Sequence, residues 1–246
     1  MFVVNDSAAI VFDDHTADLF SALDALPADQ RTAIGRVLTD PNRPNGRIIA
    51  VNISLETYES DHAPFYREYI EGYVVDNITG ATLNHNGIVY FLYGLLDAYL
   101  GLRPVGRVIG QPYQMRLPAF PNRRREPDIL VILNEHQDRL SESHIQGAPD
   151  ICIEVISAES IDRDRDEKFK EYEVGGIPEY WLIDPLQAQA HFYRLGADGR
   201  YEAQPMDSDG HYQTPPLPGF SLPVARLWGQ RMPNMIEVVE MARQML

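Results

Sequence analysis

The sequence predicts an α/β (α+β) fold, on three observations. Residues 151–156 (ICIEVI) form a β-branched apolar run broken only by Glu154, too short for a helix of its own and therefore a buried strand. Residues 85–100 are apolar or aromatic on almost every face, among them Ile88, Phe91, Leu92, Leu95, Leu96 and Tyr99, so the helix they form must be buried and should pack on a sheet. Good helix formers over 162–174, stopped by Gly175 and Gly176, separate the apolar run from a further core strand at 179–185 (EYWLIDP).

With 246 residues, 44% hydrophobic and 10% aromatic, the chain has enough apolar material for one large domain with appendages, or for two small ones. Its longest apolar segment, 88–102, is too short to span a bilayer and is broken by Gly94, Asp97 and Gly101. The first residues offer neither the basic start nor the apolar stretch of a secretory signal, so a cytoplasmic location without membrane contact is expected. Cys152 is the single cysteine; it cannot form an internal disulfide and is expected to pack as a small apolar residue. A net charge of −15 argues against a protein that coats nucleic acid non-specifically, because phosphate binding is dominated by basic side chains. A local patch is compatible with that charge: Arg103, Arg107, Arg116 and the run Arg123, Arg124, Arg125 crowd one interval, which is either a solvated loop or a nucleic-acid-binding surface.

Taken in order, residues 1–60 read as an appendage, with amphipathic helices over 16–26 and 28–38, a turn-rich 40–47 and a strand over 47–55. The main domain spans 61–230, and 231–246 carries a final amphipathic helix over 235–246. Residues 65–78 form two strands joined around Gly72, with Glu68 and Glu71 near the turn, where glutamates are more often exposed than ligating. Asn84 is a plausible cap for the long helix, and His85 at its start is either a cap contact or a site residue. Strands follow at 106–109, 111–117 and 127–133. A hairpin at 188–195 and 201–204 turns around residues 197–199, and a proline-rich wrap covers 215–228.

The chemistry concentrates around Glu154. A carboxylate in a buried strand needs a cation beside it, either a structural Arg or a divalent metal, for which carboxylate oxygens are the usual ligands. Asp128 opens the strand at 127–133 after Glu-Pro, which is good turn chemistry, and Pro149-Asp150 repeats the pattern at the strand carrying Glu154. If the two strands are neighbours, Asp128 and Glu154 meet. Only two of the 21 basic side chains are lysines, Lys168 and Lys170. Asp164, Lys168 and Tyr172, spaced four apart, share a helix face, so Lys168 either pairs with Asp164 on the surface or belongs to the site.

These motifs, in this order, resemble the Uma-two family of restriction endonucleases in the PD-(D/E)XK nuclease superfamily. The resemblance covers about two thirds of the chain: E-x-I-x-G from Glu68, His85 opening the long helix, E-P-D ending at Asp128 and A-P-D-x-x-x-E-V-x-S around Glu154. It continues with D-R-x-E-K-x-x-x-Y from Asp164 to Tyr172, G-I-P-E-Y-W-L-I-D-P from Gly176 and L-P-G-F from Leu217. It implies a restriction-endonuclease-like core, a central mixed sheet flanked by helices. The implied activity is DNA phosphodiester cleavage with Mg²⁺ or Mn²⁺ on Asp128 and Glu154, supported by Glu68, His85, Asp164 and Tyr172. One departure stands out. The lysine of a standard E-x-K would fall at position 156, which is Ile156, so a relocated lysine is implied, and Lys168 is the candidate. A homodimer is compatible with cutting both strands. The competing expectation is a catalytically silent binding or regulatory module on the same fold.

Overall fold

The computed structural model describes residues 47–63, 67–76, 82–158, 160–229 and 231–246, with the strands Val3–Val4 and Ile10–Val11 and a few positions between 32 and 45. The helix expected over 16–26, and all but Thr32 and Gly35 of that over 28–38, lie outside the described residues. The chain divides into two compact units, Met1–Thr79 with Asn122–Arg124, and Gly80–Pro121 with Arg125–Leu246.

The first unit is an antiparallel sheet in the order Val3–Val4, Ile10–Val11, Arg47–Val51, Tyr73–Asp76, Arg67–Ile70, Arg123–Arg124. Its tight hairpin is made possible by Glu71 (φ 50°) and Gly72 (φ 93°), both left-handed as a two-residue connection requires. The strand expected over 47–55 stops at Val51, because Ser54 caps a helix, Leu55–Asp61, its hydroxyl accepting the Thr57 N–H at 3.1 Å. Glu71 stays exposed beside Arg123, as its turn position predicts. Glu68 does not: its strand lies between two others and is covered on both faces, so this carboxylate is fully buried.

The second unit is built on a six-stranded sheet: β1 Gly106–Gly110, β2 Ile129–Leu133, β3 Ile151–Val155, β4 Glu179–Asp184, β5 Gln189–Leu195 and β6 Tyr201–Gln204. Spatial order follows chain order, and every junction is antiparallel except β3 with β4. The sheet is therefore mixed, as expected. A parallel junction needs a crossover. Here the crossover contains a π-helical turn, Arg163–Glu167, leading into a short helix, while the long helix α1, Leu83–Leu102, precedes the sheet; the crossover helix, α2, is Lys168–Val174, and α3 is Met235–Arg243.

Alternation along the strands sorts the side chains into two cores. Ile151, Ile153 and Val155 join Ile129, Val131, Trp181 and the apolar residues of α1 and α3. Cys152 joins Leu130, Ile132, Tyr180 and Leu182 on the opposite face, under Tyr172 of α2.

Three local expectations need correction. The cap of α1 is Thr82, whose hydroxyl accepts the His85 N–H at 3.2 Å, and Asn84 is already inside the first turn. Of the strand expected over 111–117 only Gln114–Arg116 forms, since Pro112 supplies no N–H, and it pairs in parallel with His144–Gln146 outside the main sheet. The final helix ends at Arg243, held at its start by a capping box of Asn234 with Glu237.

Candidate active site

The site grows from the alternation in β3. With Ile151, Ile153 and Val155 committed to the α1 side, Glu154 must emerge on the α2 side, together with Cys152. The β2–β3 register pairs Ile153 with Ile129 and Ile151 with Val131; continued by one residue, it sets Asp128 opposite Glu154 on the same sheet face. Asp164, Lys168 and Tyr172 lie on the crossover above that face.

Glu154 is buried, and its charge is met by side chains. Lys168 Nζ donates to Glu154 Oε1 at 2.8 Å, and Tyr172 OH donates to the same oxygen at 2.7 Å. The ammonium also lies 3.2 Å from Asp164 Oδ1. The helix face predicted from the spacing of Asp164, Lys168 and Tyr172 is thus realised, but through a π-helical turn, a feature frequent at functional sites. The surface-pair reading of Lys168 is corrected in one respect: the pair with Asp164 exists and is buried, 3% and 2% exposed. Breaking such a buried set by removing one partner costs about 3–5 kcal/mol. A cation beside Glu154 is this lysine.

Asp128 is held just as firmly. Its Oδ2 accepts the backbone N–H of Val155 at 2.7 Å, and its Oδ1 accepts the side-chain amide of Gln111 at 3.0 Å. His85 Nε2 stands 3.6 Å from Oδ2. Burial pushes the His85 imidazole down, but its contacts with Asp128, Asn86 and the Val155 backbone outweigh burial, and its pKa is raised above the usual value. The His85 side chain thus stands against Asp128, while its backbone N–H takes the cap. The Pro-Asp pattern is also explained: Asp150 Oδ2 accepts the Leu133 N–H at 2.7 Å and Asp128 the Val155 N–H, so each Asp closes the last amide of the strand that the other opens. Gln111 was not anticipated, and a glutamine before a proline carries no signal that would have marked it.

Glu154 and Asp164 share the ammonium of Lys168, the edge of Arg163 lies 4.0 Å from Asp164, and His85 stands against Asp128. Among the described residues no three His, Cys, Asp or Glu side chains converge into a closed ligand set.

The family model described as "Putative restriction endonuclease", Uma2, matches residues 55–225. The chain belongs to the Uma2 family. An uncharacterized protein of Synechocystis sp. is 28% identical over 136 residues, spanning 54% of this chain and 75% of that one. A crystal structure from Anabaena variabilis, titled a "putative nuclease belonging to DUF820", superposes with a TM-score of 0.50 at 17% identity, over 72% of this chain and 90% of that one. At that identity the likeness establishes the nuclease-like fold.

Within this Uma2 chain the arginine run does not form one exposed patch. Arg125 is 1% exposed and donates to Glu167 at 2.5 Å and Glu171 at 2.6 Å, tying α2 to its own unit. Arg124 is buried against Glu59, and Arg123 lies 3.6 Å from Glu71. A guanidinium surrounded by protein carboxylates is a structural cation. Glu68 belongs to the first unit and Asp128, Glu154, Lys168, His85, Asp164 and Tyr172 to the second. Among the described residues no helix is long and apolar enough to cross a membrane.

Proposed function

We propose that the protein is a divalent-metal-dependent endonuclease cleaving phosphodiester bonds of DNA. What supports the reading is the β2–β3 register, whose extension by one residue sets Asp128 opposite Glu154, with Lys168 in hydrogen-bond contact with Glu154. Two carboxylates set opposite each other suit Mg²⁺ or Mn²⁺, since Mg²⁺ takes one or two carboxylates and keeps several waters, so a closed set of three protein ligands is not required. Asp128 and Glu154 would hold the ion, which when bound lowers the pKa of water and offsets charge on the phosphate. Lys168 places its ammonium beside Glu154, and Gln111 and the Val155 amide fix the orientation of Asp128. Tyr172 orients Glu154 from the other side of the lysine.

A second reading, a silent binding module on the nuclease fold, is favoured by the self-satisfied network around Glu154 and by the net charge of −15. One experiment separates them: cleavage of supercoiled and single-stranded DNA with Mn²⁺, by the wild type and by Asp128→Asn, Lys168→Arg and Lys170→Arg. Cleavage lost in the first two variants and kept in the third is expected, because a guanidinium is too wide and flat for the place of Lys168. Lys170 is exposed and pairs with Asp166 one turn earlier. DNA binding without cleavage by the wild type would establish the silent module instead.

A further inference from the structure

We infer that Lys168 is a resident cation that latches the site, so that the protein admits a divalent ion only by giving up the Lys168–Glu154 contact. The inference rests on the metal-dependent reading above and adds to it a control built into the chain. Its basis is geometric. Lys168 Nζ is 2.8 Å from Glu154 Oε1 and 3.2 Å from Asp164 Oδ1, and all three side chains are at most 4% exposed. Tyr172 takes the same Glu154 oxygen at 2.7 Å, so that oxygen already receives two donors. A carboxylate oxygen has two lone-pair sites, and both sites of Oε1 are thereby filled.

The ammonium therefore does two opposed things. It compensates Glu154 and Asp164, whose burial without a cation is costly. It also places a positive charge where a second cation would have to approach, and in a buried setting that repulsion is little screened. A lysine that only oriented water would not need contact with two carboxylates. The π-helical turn Arg163–Glu167 supplies the geometry, since Lys168 follows it directly, its N–H reaching back to Arg163 O and its ammonium meeting both Asp164 and Glu154.

The test uses the full chain and Mn²⁺ or Mg²⁺ alone. Lys168→Met and Lys168→Gln should each melt below the wild type without metal, yet bind Mn²⁺ at least tenfold more tightly by calorimetry, with Lys170→Met unchanged in both respects. Equal or weaker binding by the Lys168 variants, with the wild type binding, would overturn the latch and leave the metal-dependent reading standing. No binding by the wild type or by any variant would overturn both. The two-lysine composition gives a readout that needs no substitution: protein labelled with ¹³C at lysine Cε has two signals. Saturating Mg²⁺ should move the buried Lys168 signal and spare exposed Lys170. A Lys168 signal unmoved at saturation would refute the release of the contact even if the variants fail to fold.

Discussion

At the scale of single residues, the buried carboxylates of the second unit differ in what compensates them. Glu154 has an ammonium and a phenol, whereas Glu179 has mainly neutral donors. Tyr212 OH at 2.5 Å and Trp181 Nε1 at 2.8 Å donate to its Oε1, Thr214 donates to Oε2 at 2.9 Å, and Arg194 is more distant at 3.8 Å. Burial raises the Glu179 pKa above its ordinary value, and these donors and Arg194 only partly offset it. A carboxyl whose folded pKa is raised contributes stability below its unfolded pKa, and that contribution is lost as pH rises through the folded pKa. Glu179→Gln removes this dependence. Urea unfolding of both proteins should therefore show the variant gaining on the wild type as pH rises from 4.5 through the raised folded value. A difference that stays constant across that window would mean the carboxyl folds without a proton preference. Cys152 marks the other extreme, a thiol fully enclosed and pushed well above its ordinary pKa, hence inert.

At the scale of elements, β1 and β2 approach each other closely at one end. Gly106 pairs with Leu133, and a Cβ at Gly106 would lie 2.6 Å from Ile132 O and 3.1 Å from Leu133 Cα. Both are backbone atoms in a strand that is hydrogen-bonded on either side, so neither can step aside. Gly106→Ala should therefore cost about 1–3 kcal/mol, the usual price of overpacking, measured by thermal or denaturant unfolding. A cost near zero would mean β1 can be pushed away from β2 without loss.

At the scale of the whole molecule, 36 acidic against 21 basic side chains give the net charge of −15. Charge of one sign destabilises a compact state by self-repulsion, and salt screens exposed charges far more than buried pairs such as Lys168 with Glu154. Raising NaCl from about 0.05 to 0.5 M should accordingly stabilise the protein, with about 1 kcal/mol appearing as a rise of about 2–4 °C in Tm by calorimetry. A falling Tm would show that exposed ion pairs outweigh the repulsion. The same charge makes indiscriminate binding to duplex DNA unfavourable, so any nucleic acid must be engaged locally.

Much of this was written in local sequence. The period-two pattern of residues 151–155 determined a strand buried on both faces and sent Glu154 to the side of Cys152. The four-residue spacing of Asp164, Lys168 and Tyr172 determined that they would share a face, and Glu71-Gly72 determined a hairpin, because periodicity and turn conformation are properties of a few consecutive residues. Only the tertiary structure decided which strands are neighbours, and hence that Asp128 lies opposite Glu154 and that Gln111 and His85 close around it. It also decided the fate of charges: Glu68 buried inside a sheet, Arg125 enclosed by Glu167 and Glu171, and Lys168 drawn in from the surface. A charged side chain can be solvated or paired with almost equal local propensity. What selects between the two is the low-dielectric space that distant segments build around it, and no short stretch of sequence contains that space.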